Sequence, residues 1–436
     1  MKLIQLEQAA KRVLAANDQG DYTVPSTKLY PHQWLWDSAF IAIGLAHYDP
    51  VRAAQEIQTL LRSQWGNGMI PHVVFGASED YWLDQKFWRS NRSKFAPRQV
   101  LTSGITQPPV IAMAAEIVAE HLGSALREEF IRQVYPALVA YHQWWYRERD
   151  PKGTGLVVLV HLWENGLDNT PPWTEMLQRV RLPLYLNIGL KLGLKSVVNR
   201  LRPDTRIVPT EERLDLHDAA RSVVLAAKLR RKGYDGKKIL KHPTIAVESL
   251  TTNCLLVVSN ESLGRLAGLI DAKLPHELAT AATRTKRAIQ QLWDGQEFYS
   301  RDYTTGQLIK SPSINTFFPL IAGVATKAQA AKLVELLQDP KRYWPQFPVP
   351  TAALDWPGFS QKRYWQGPTW VNTNWLIIQG LRRYGYDDLA SELRAKTLAL
   401  VEKSGFSEYF SPLDGKPYGI EGFSWTAALV IDLLNE

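Results

Sequence analysis

The chain is poor in sulfur and in long apolar runs. Its 436 residues include one cysteine, Cys254, and four methionines. A lone cysteine excludes an intrachain disulfide and any metal site built on thiolates. No stretch of about 18 apolar residues occurs, so a membrane span is not expected. The N-terminal run Met1-Lys2-Leu3-Ile4-Gln5-Leu6-Glu7 lacks the apolar core of a signal peptide. These absences point to a cytoplasmic protein with no membrane partner. Chemical signatures are missing too. There is no G-x-S-x-G and no G-x-G-x-x-G, so a serine hydrolase or a dinucleotide enzyme has no support. The nine histidines form no H-E-x-x-H or similar helical metal pair. No zinc finger, RNA-binding motif or uninterrupted basic arm suggests a nucleic-acid partner.

What is present is a globular composition. Hydrophobic residues make up 45% and charged residues 22%, enough apolar surface to offset the entropy of ordering a chain. The net charge of +8 is concentrated: residues 174–245 hold 16 basic against 7 acidic side chains. Such a surplus is either a solvated helical face or a field that attracts an anionic ligand. The excess of aromatics is more specific. There are 16 tryptophans and 17 tyrosines, many beside Gly, Pro, Asp, Glu, Asn and Gln rather than among aliphatic residues. Indole rings in polar, turn-rich segments suit ligands with an apolar face and polar edges, a description that fits sugars.

Apolar periodicity predicts helices over Leu3–Ala16, Val51–Trp65, Val110–Leu122, Arg127–Arg147, Val247–Leu269, Leu274–Trp293, Lys327–Leu337, Trp370–Tyr384, Asp387–Ser404 and Ser424–Leu434. Asp49-Pro50 reads as an N-cap followed by proline at the first helical position. Strand-like runs are short: Leu156–Leu159, and a hairpin over Glu297–Ile309 turned at Thr304–Gln307. The expected fold is therefore all-α, about a dozen helices joined by long loops that carry aromatic and carboxylate residues. Helix pairs closing into an α/α toroid would gather the loops of one end around a funnel. No linker-like stretch divides the chain, so residues 1–436 read as a single domain, with 174–245 as a helical cap inserted in it.

Five segments carry the chemistry. Tyr30-Pro31-His32-Gln33-Trp34-Leu35-Trp36-Asp37-Ser38 offers rings to stack on a sugar and Asp37 to accept from its hydroxyls, unless Asp37 caps a helix beginning near Ala39. Gly66-Asn67-Gly68-Met69-Ile70-Pro71-His72 is a turn followed soon after by Tyr81, and Gln107 sits in Thr106-Gln107-Pro108-Pro109 at a helix start. Leu162-Trp163-Glu164-Asn165-Gly166-Leu167-Asp168-Asn169 brackets two carboxylates with indoles. Burial against Trp raises a carboxyl pKa, as a general acid at neutral pH requires. Tyr364-Trp365-Gln366-Gly367-Pro368-Thr369-Trp370 precedes a helix that Pro368 would start. Phe406-Ser407-Glu408-Tyr409 and Glu421-Gly422-Phe423-Ser424-Trp425 again set a carboxylate beside aromatics. Two carboxylates distant in sequence but on loops of one funnel can flank a glycosidic bond.

Taken together and in order, the motifs Gln-Trp-x-Trp-Asp-Ser, Gly-x-Ile-Pro-His, Trp-Glu-x-Gly-x-Asp-Asn, Tyr-Trp-x-Gly-Pro-x-Trp-x-Asn, Glu-Tyr-x-x-Pro-x-x-Gly and Phe-Ser-Trp-Thr resemble glycoside hydrolase family 63. The likeness spans Tyr30 to Leu434 and is nearest to the short bacterial mannosylglycerate and glucosylglycerate hydrolases. It implies an (α/α)6 barrel and an inverting hydrolase that needs no cofactor and no metal. Its substrate would be a small glucosyl- or mannosyl-linked compound, such as these glycerate compatible solutes. It implies Asp168 as general acid and Glu408 as general base, with Glu421 the rival for the base. Asp37, Trp34, Trp36, Trp365 and Gln366 would hold the sugar, and Tyr30, Gln107, Tyr364 and His72 the acceptor end. Gln33, Tyr81, Trp163, Glu164, Asn169 and Trp370 complete the expected binding set. Asn165 departs from the small residue usual before Gly166. A trehalase- or glucoamylase-like enzyme on a neutral sugar, an epimerase on the same toroid and a non-catalytic sugar binder stay as alternatives. A homo-oligomer stays open.

Overall fold

The computed structural model describes residues 3–76, 85–191, 202 and 204–436. Among them, twelve helices build the barrel: α1 Leu3–Asn17, α2 Leu35–Ala46, α3 Pro50–Leu61, α4 Ile111–His121, α5 Ser124–Arg149, α6 Leu250–Leu269, α7 His276–Ala288, α8 Phe318–Ile321 with the 3₁₀ turn Ile314–Phe317 before it, α9 Lys327–Leu337, α10 Val371–Arg383, α11 Asp387–Ser404 and α12 Ser424–Asn435. The even-numbered helices pack in a closed ring, α2 on α4, α4 on α6 and so on until α12 meets α2 again. The odd-numbered helices lie outside, α1 against α12, α3 against α2, α5 against α4 and α6, α11 against α10. The chain thus alternates outer and inner helices six times. This is the all-α (α/α)6 toroid that the sequence predicts.

Sequence explains which helix goes where. The outer α3 is amphipathic, burying Ala53, Ala54, Ile57 and Leu60, and Asp49 caps it by accepting from the Arg52 N–H at 3.0 Å. Every residue of the inner α2 is buried. A helix covered on all sides has no polar stripe, so periodicity marks it poorly. This is why the sequence pattern puts its start near Ala39, four residues late, and why Asp37 lies inside its first turn rather than capping it. Gly44 lets α2 approach α12: a Cβ there would stand 2.4 Å from Ala428 Cα.

Other boundaries move for local reasons. α6 starts at Leu250 because Val247–Glu248 is a strand (β4), paired antiparallel with β3 Val158–Leu159 and β5 Arg301–Asp302. α10 starts at Val371, not at Pro368, and α4 starts at Ile111, so Gln107 precedes its helix rather than opening it. Two further antiparallel pairs were not expected: β1 Gln33–Trp34 with β2 Val73–Val74, and β6 Ser407–Phe410 with β7 Pro417–Glu421. Between α5 and α6 the chain leaves the ring. Its described part there includes the helices Pro171–Leu177, Leu216–Arg231 and Gly236–Lys241. No described helix is long and apolar enough to cross a membrane.

Candidate active site

A cavity of about 460 Å³ opens where inner helices begin, a size ordinary for a small-molecule site. Trp36 and Asp37 reach it from the first turn of α2, Gln107 from the segment before α4, Tyr364 and Trp365 from the segment before α10, and Trp425 from the start of α12. Trp163, Gly166 and Asp168 enter from the loop after β3, and Glu408 from β6. Of the residues singled out in the sequence, Tyr30, Trp34, Trp36, Asp37, His72, Gln107, Trp163, Asp168, Tyr364, Trp365 and Glu408 all line this one cavity. Tyr81 lies outside the described residues.

Five others stand behind the wall instead of in it. Gln33 donates to the backbone carbonyl and the side chain of buried Glu56, both at 3.2 Å. Glu164 pairs with buried Arg149 at 2.5 Å and accepts from the Val160 N–H at 2.9 Å. Asn169 accepts from the Trp365 N–H at 3.0 Å, which ties the loop of Asp168 to the aromatic wall. Gln366 donates to Thr174 Oγ1 at 2.9 Å. Trp370 backs Trp365, ring on ring at 3.6 Å, and Tyr409 continues the stack at 4.6 Å. All five carry the polarity or aromaticity of a ligand contact, yet the neighbours that hold them are protein.

Glu164 accordingly has a structural effect to measure. Removing one partner of a buried ion pair costs about 3–5 kcal/mol, because the other charge is left without compensation. Glu164→Ala should lower the urea midpoint by a corresponding amount. An unchanged midpoint would show that Arg149 does not depend on it.

Histidines tune the wall without charge. His72 packs edge-on to Trp34 and parallel to Trp163, and its Nδ1 contacts Ser103 Oγ. Burial, then the nearby His161, holds its pKa well below the usual imidazole value. His161 accepts from the Trp163 N–H on Nδ1 at 3.2 Å, so Nε2 carries the proton given to Ser222 O at 3.0 Å. Burial pushes its pKa down to about 3. It therefore links Trp163 to the helix Leu216–Arg231 as a neutral ring.

The two central carboxylates have different surroundings. Glu408 sits on β6 where the pairing with β7 is irregular, a device that re-aims a side chain. Its Oε1 accepts from Tyr30 OH at 2.8 Å and from Arg213 Nη1 at 3.2 Å. Its Oε2 accepts from the Ile420 N–H at 3.3 Å and from Arg213 Nη1 at 3.4 Å. Burial raises its pKa, and Arg213, Tyr30 and the Ile420 N–H pull it back. Asp168 is raised further, well above the usual carboxylate value. Burial is the first cause; Arg213 opposes it and the charge of Glu408 adds to it. Asp37 is raised likewise by burial, with Glu408 and Asp168 adding to the effect. Four carboxylates thus line one cavity, Asp37, Asp168, Asp204 and Glu408; Arg213 lies on Glu408 and Arg202 on Asp204. Glu421 is exposed at the far end of β7, paired with Ser407.

The close packing around Glu408 makes Gly419 critical. It has φ +71°, and a Cβ there would lie 2.4 Å from Glu408 Oε2. Gly419→Ala should displace the carboxylate while the barrel stays folded. Misplacing a reacting group by about 1 Å can cost on the order of 10²-fold, so a kcat/KM loss of that order with an unchanged circular dichroism spectrum is expected.

The expected binding set left out several lining residues, although the motifs quoted above contain Phe423 and Trp425. Trp88, Phe423 and Trp425 complete the aromatic wall, with Trp425 edge-on to Trp36 at 5.2 Å. Arg202, Asp204, Arg206 and Arg213 come from the basic segment. Arg213 is fixed by the 3₁₀ turn Thr210–Glu212, which docks on the β6–β7 hairpin: Gly419 N–H donates to Glu212 Oε2 at 2.9 Å, and Tyr409 OH donates to Glu212 O. Its guanidinium spans Tyr364 at 4.4 Å from the ring centroid and lies 3.6 Å from Asp204. The local charge surplus was the only signal pointing to it. Among the described residues no group of three His, Cys, Asp or Glu side chains is placed to hold a metal ion.

A cavity with an aromatic wall, a carboxyl whose pKa burial raises and a second carboxylate under a cation can bind a sugar and perform acid–base chemistry on it. Comparison with known proteins agrees. The sequence pattern described as "Mannosylglycerate hydrolase MGH1-like glycoside hydrolase domain" matches residues 30–426. A mannosylglycerate hydrolase of Rubrobacter radiotolerans is 36% identical, over 100% of this chain and 98% of that one. A glucosylglycerate hydrolase of Mycolicibacterium hassiacum is 31% identical over 99% and 98%. The crystal structure of a GH63 mannosylglycerate hydrolase from Thermus thermophilus in complex with Tris and D-glycerate superposes with a TM-score of 0.88 at 37% identity, covering 98% of this chain and 99% of that one.

Proposed function

The chain belongs to the mannosylglycerate hydrolase MGH1-like glycoside hydrolases, and from that premise we propose that it hydrolyses the α-glycosidic bond of a mannosyl- or glucosylglycerate with inversion. The observation that carries the reading is the meeting of Asp168, Glu408 and Arg213 in one cavity. The hexose packs against Trp36 and Trp365, and Asp37 accepts from its hydroxyls. Asp168, protonated through burial, gives its proton to the leaving oxygen. Glu408, ionised, takes a proton from the water that attacks the anomeric carbon from the opposite face. The glycosidic C–O bond breaks as the new one forms, and solvent returns both carboxyls to their starting states. The glycerate carboxylate takes Arg213, with Tyr30, Gln107, Tyr364 and His72 around the acceptor.

The anionic acceptor is favoured over a neutral one because the inserted segment supplies Arg202, Arg206 and Arg213 to the cavity. Residues 174–245 then act as a cap inserted in a single catalytic domain. The buried, unpaired Cys254 suits a reducing, cytoplasmic setting, and sugar glycerates of this kind serve as compatible solutes.

The test is direct. Mannosylglycerate, glucosylglycerate, trehalose and maltose are each incubated with the protein, free hexose is assayed, and the first-formed anomer is read by NMR. Release of the β-anomer from a glycerate conjugate is expected. Turnover of trehalose or maltose alone would move the assignment to a neutral glycosidase. Because attraction between exposed charges more than about 8 Å apart is largely screened at physiological salt and more so above it, kcat/KM on the glycerate conjugate should fall with added salt more than that on any neutral sugar.

A further inference from the structure

We propose that Arg213 latches Glu408 in the free enzyme and that the carboxylate of an anionic aglycone releases it, so that this substrate switches on the base that serves its own hydrolysis. The inference rests on the reading of Glu408 as that base.

The argument begins with lone pairs. An ionised carboxylate offers about four acceptor positions. Tyr30 OH and Arg213 Nη1 occupy Oε1; the Ile420 N–H and Arg213 Nη1 occupy Oε2. A general base must accept directly from the water it deprotonates. With all four positions filled, one donor has to leave before water can take its place.

The three donors differ in freedom. The Ile420 N–H is backbone of β7. Tyr30 is held by edge contacts of its ring with Trp34 and Phe423 at 5.6 and 5.9 Å, and the bond its hydroxyl accepts from Arg213 Nη2 at 2.6 Å is given up together with those from Arg213 to Glu408. Arg213 reaches in on a long side chain from the segment after the 3₁₀ turn, and it has a second carboxylate, Asp204, at 3.6 Å. Its guanidinium can rotate over Tyr364 and keep its charge compensated by Asp204. Its hold on Glu408 is also not the parallel fork that guanidinium groups prefer: a single Nη1 is shared between both oxygens. A free carboxylate offering two oxygens to that fork competes well for it. A neutral aglycone does not. Withdrawal of Arg213 removes the cation that lowers the basicity of Glu408 and opens two acceptor positions, so Glu408 becomes both accessible and a stronger base.

Arg213 is thus a positioning residue whose effect appears in turnover as well as in binding. The experiment compares mannosylglycerate with mannosylglycerol, and the glucosyl pair likewise, where CH₂OH replaces the carboxylate. For the wild type, kcat on the glycerol conjugate should be at least tenfold lower, beyond any rise in KM. The acid limb of its kcat–pH profile should lie at lower pH, because Arg213 stays on Glu408. In Arg213→Gln the two kcat values should converge and the acid limb on the glycerol conjugate should move up to meet that on the glycerate conjugate; Arg213→Lys, a cation without the fork, should fall between. Circular dichroism checks that the variants fold, and the wild-type comparison needs no variant. Equal wild-type kcat values and acid limbs, with the difference confined to KM, would overturn the latch and leave the hydrolase reading intact. Release of hexose from neither glycerate conjugate would overturn the functional reading and the latch with it.

Discussion

Glu408→Gln is expected to lower kcat on a hexosyl glycerate by about 10²–10⁴-fold, while Glu421→Gln stays within a small factor of the wild type. The substitution keeps volume and replaces the carboxylate with an amide, which is too weak a base to take a proton from water. Glu408 is buried in the cavity, bonded to Tyr30 and Arg213, whereas Glu421 lies exposed at the end of β7. Glu408 must be ionised to act, so turnover falls as pH drops through its pKa. That pKa is raised by burial and drawn back by Arg213, so the acid limb of the wild-type profile belongs above the ordinary glutamate value. Steady-state kinetics of the two Gln variants on one substrate decide the matter. An active Glu408→Gln beside a dead Glu421→Gln would reverse the assignment.

The second large effect concerns the acid and depends on the leaving group. Asp168→Asn should lose about 10²–10⁴-fold in kcat on a hexosyl glycerate, yet keep most of its rate on an α-glycosyl fluoride, because fluoride departs without a proton. Glu408→Gln should lose both. Equal losses of Asp168→Asn on the two substrates would remove Asp168 from the acid role. The same residue links activity to stability. Its folded pKa is raised, so between the unfolded carboxyl value and the folded one the native state binds more protons than the unfolded state. Stability is present in full below the unfolded value and is lost as pH rises toward the folded one. Asn has no proton to keep. Asp168→Asn should therefore melt above the wild type at neutral pH, with the gap closing toward pH 4, as read by calorimetry. A lower melting temperature at neutral pH would mean that the carboxylate is held ionised by its neighbours.

The fold was legible for the outer helices and obscured for the inner ones. Outer helices meet solvent on one side, so a polar stripe and caps such as Asp49-Pro50 mark them in sequence. The inner α2 is covered on every side, and its start was misplaced by four residues as a result. The β6 strand that carries Glu408 went unread because Ser407–Phe410 are all buried and so show no in–out alternation.

The site divides along a similar line. The sequence by itself determined the all-α architecture and the family, and it singled out Asp168 and Glu408, which meet in one cavity, because an aromatic–carboxylate segment keeps its local chemistry wherever it folds. It also identified eleven residues that line the cavity. It did not distinguish these from Gln33, Glu164, Asn169, Gln366 and Trp370, which have the same chemical character but face protein. The side of a wall on which a side chain falls is fixed by packing, and packing is not a property of residue type. Arg213 is the clearest case. In sequence it is one of 16 basic residues in a charged segment, 195 positions from Glu408. Only the tertiary fold brings the two within 3.2 Å, and Coulomb energy depends on that distance and on the dryness of the space between them. Chain separation has no part in it.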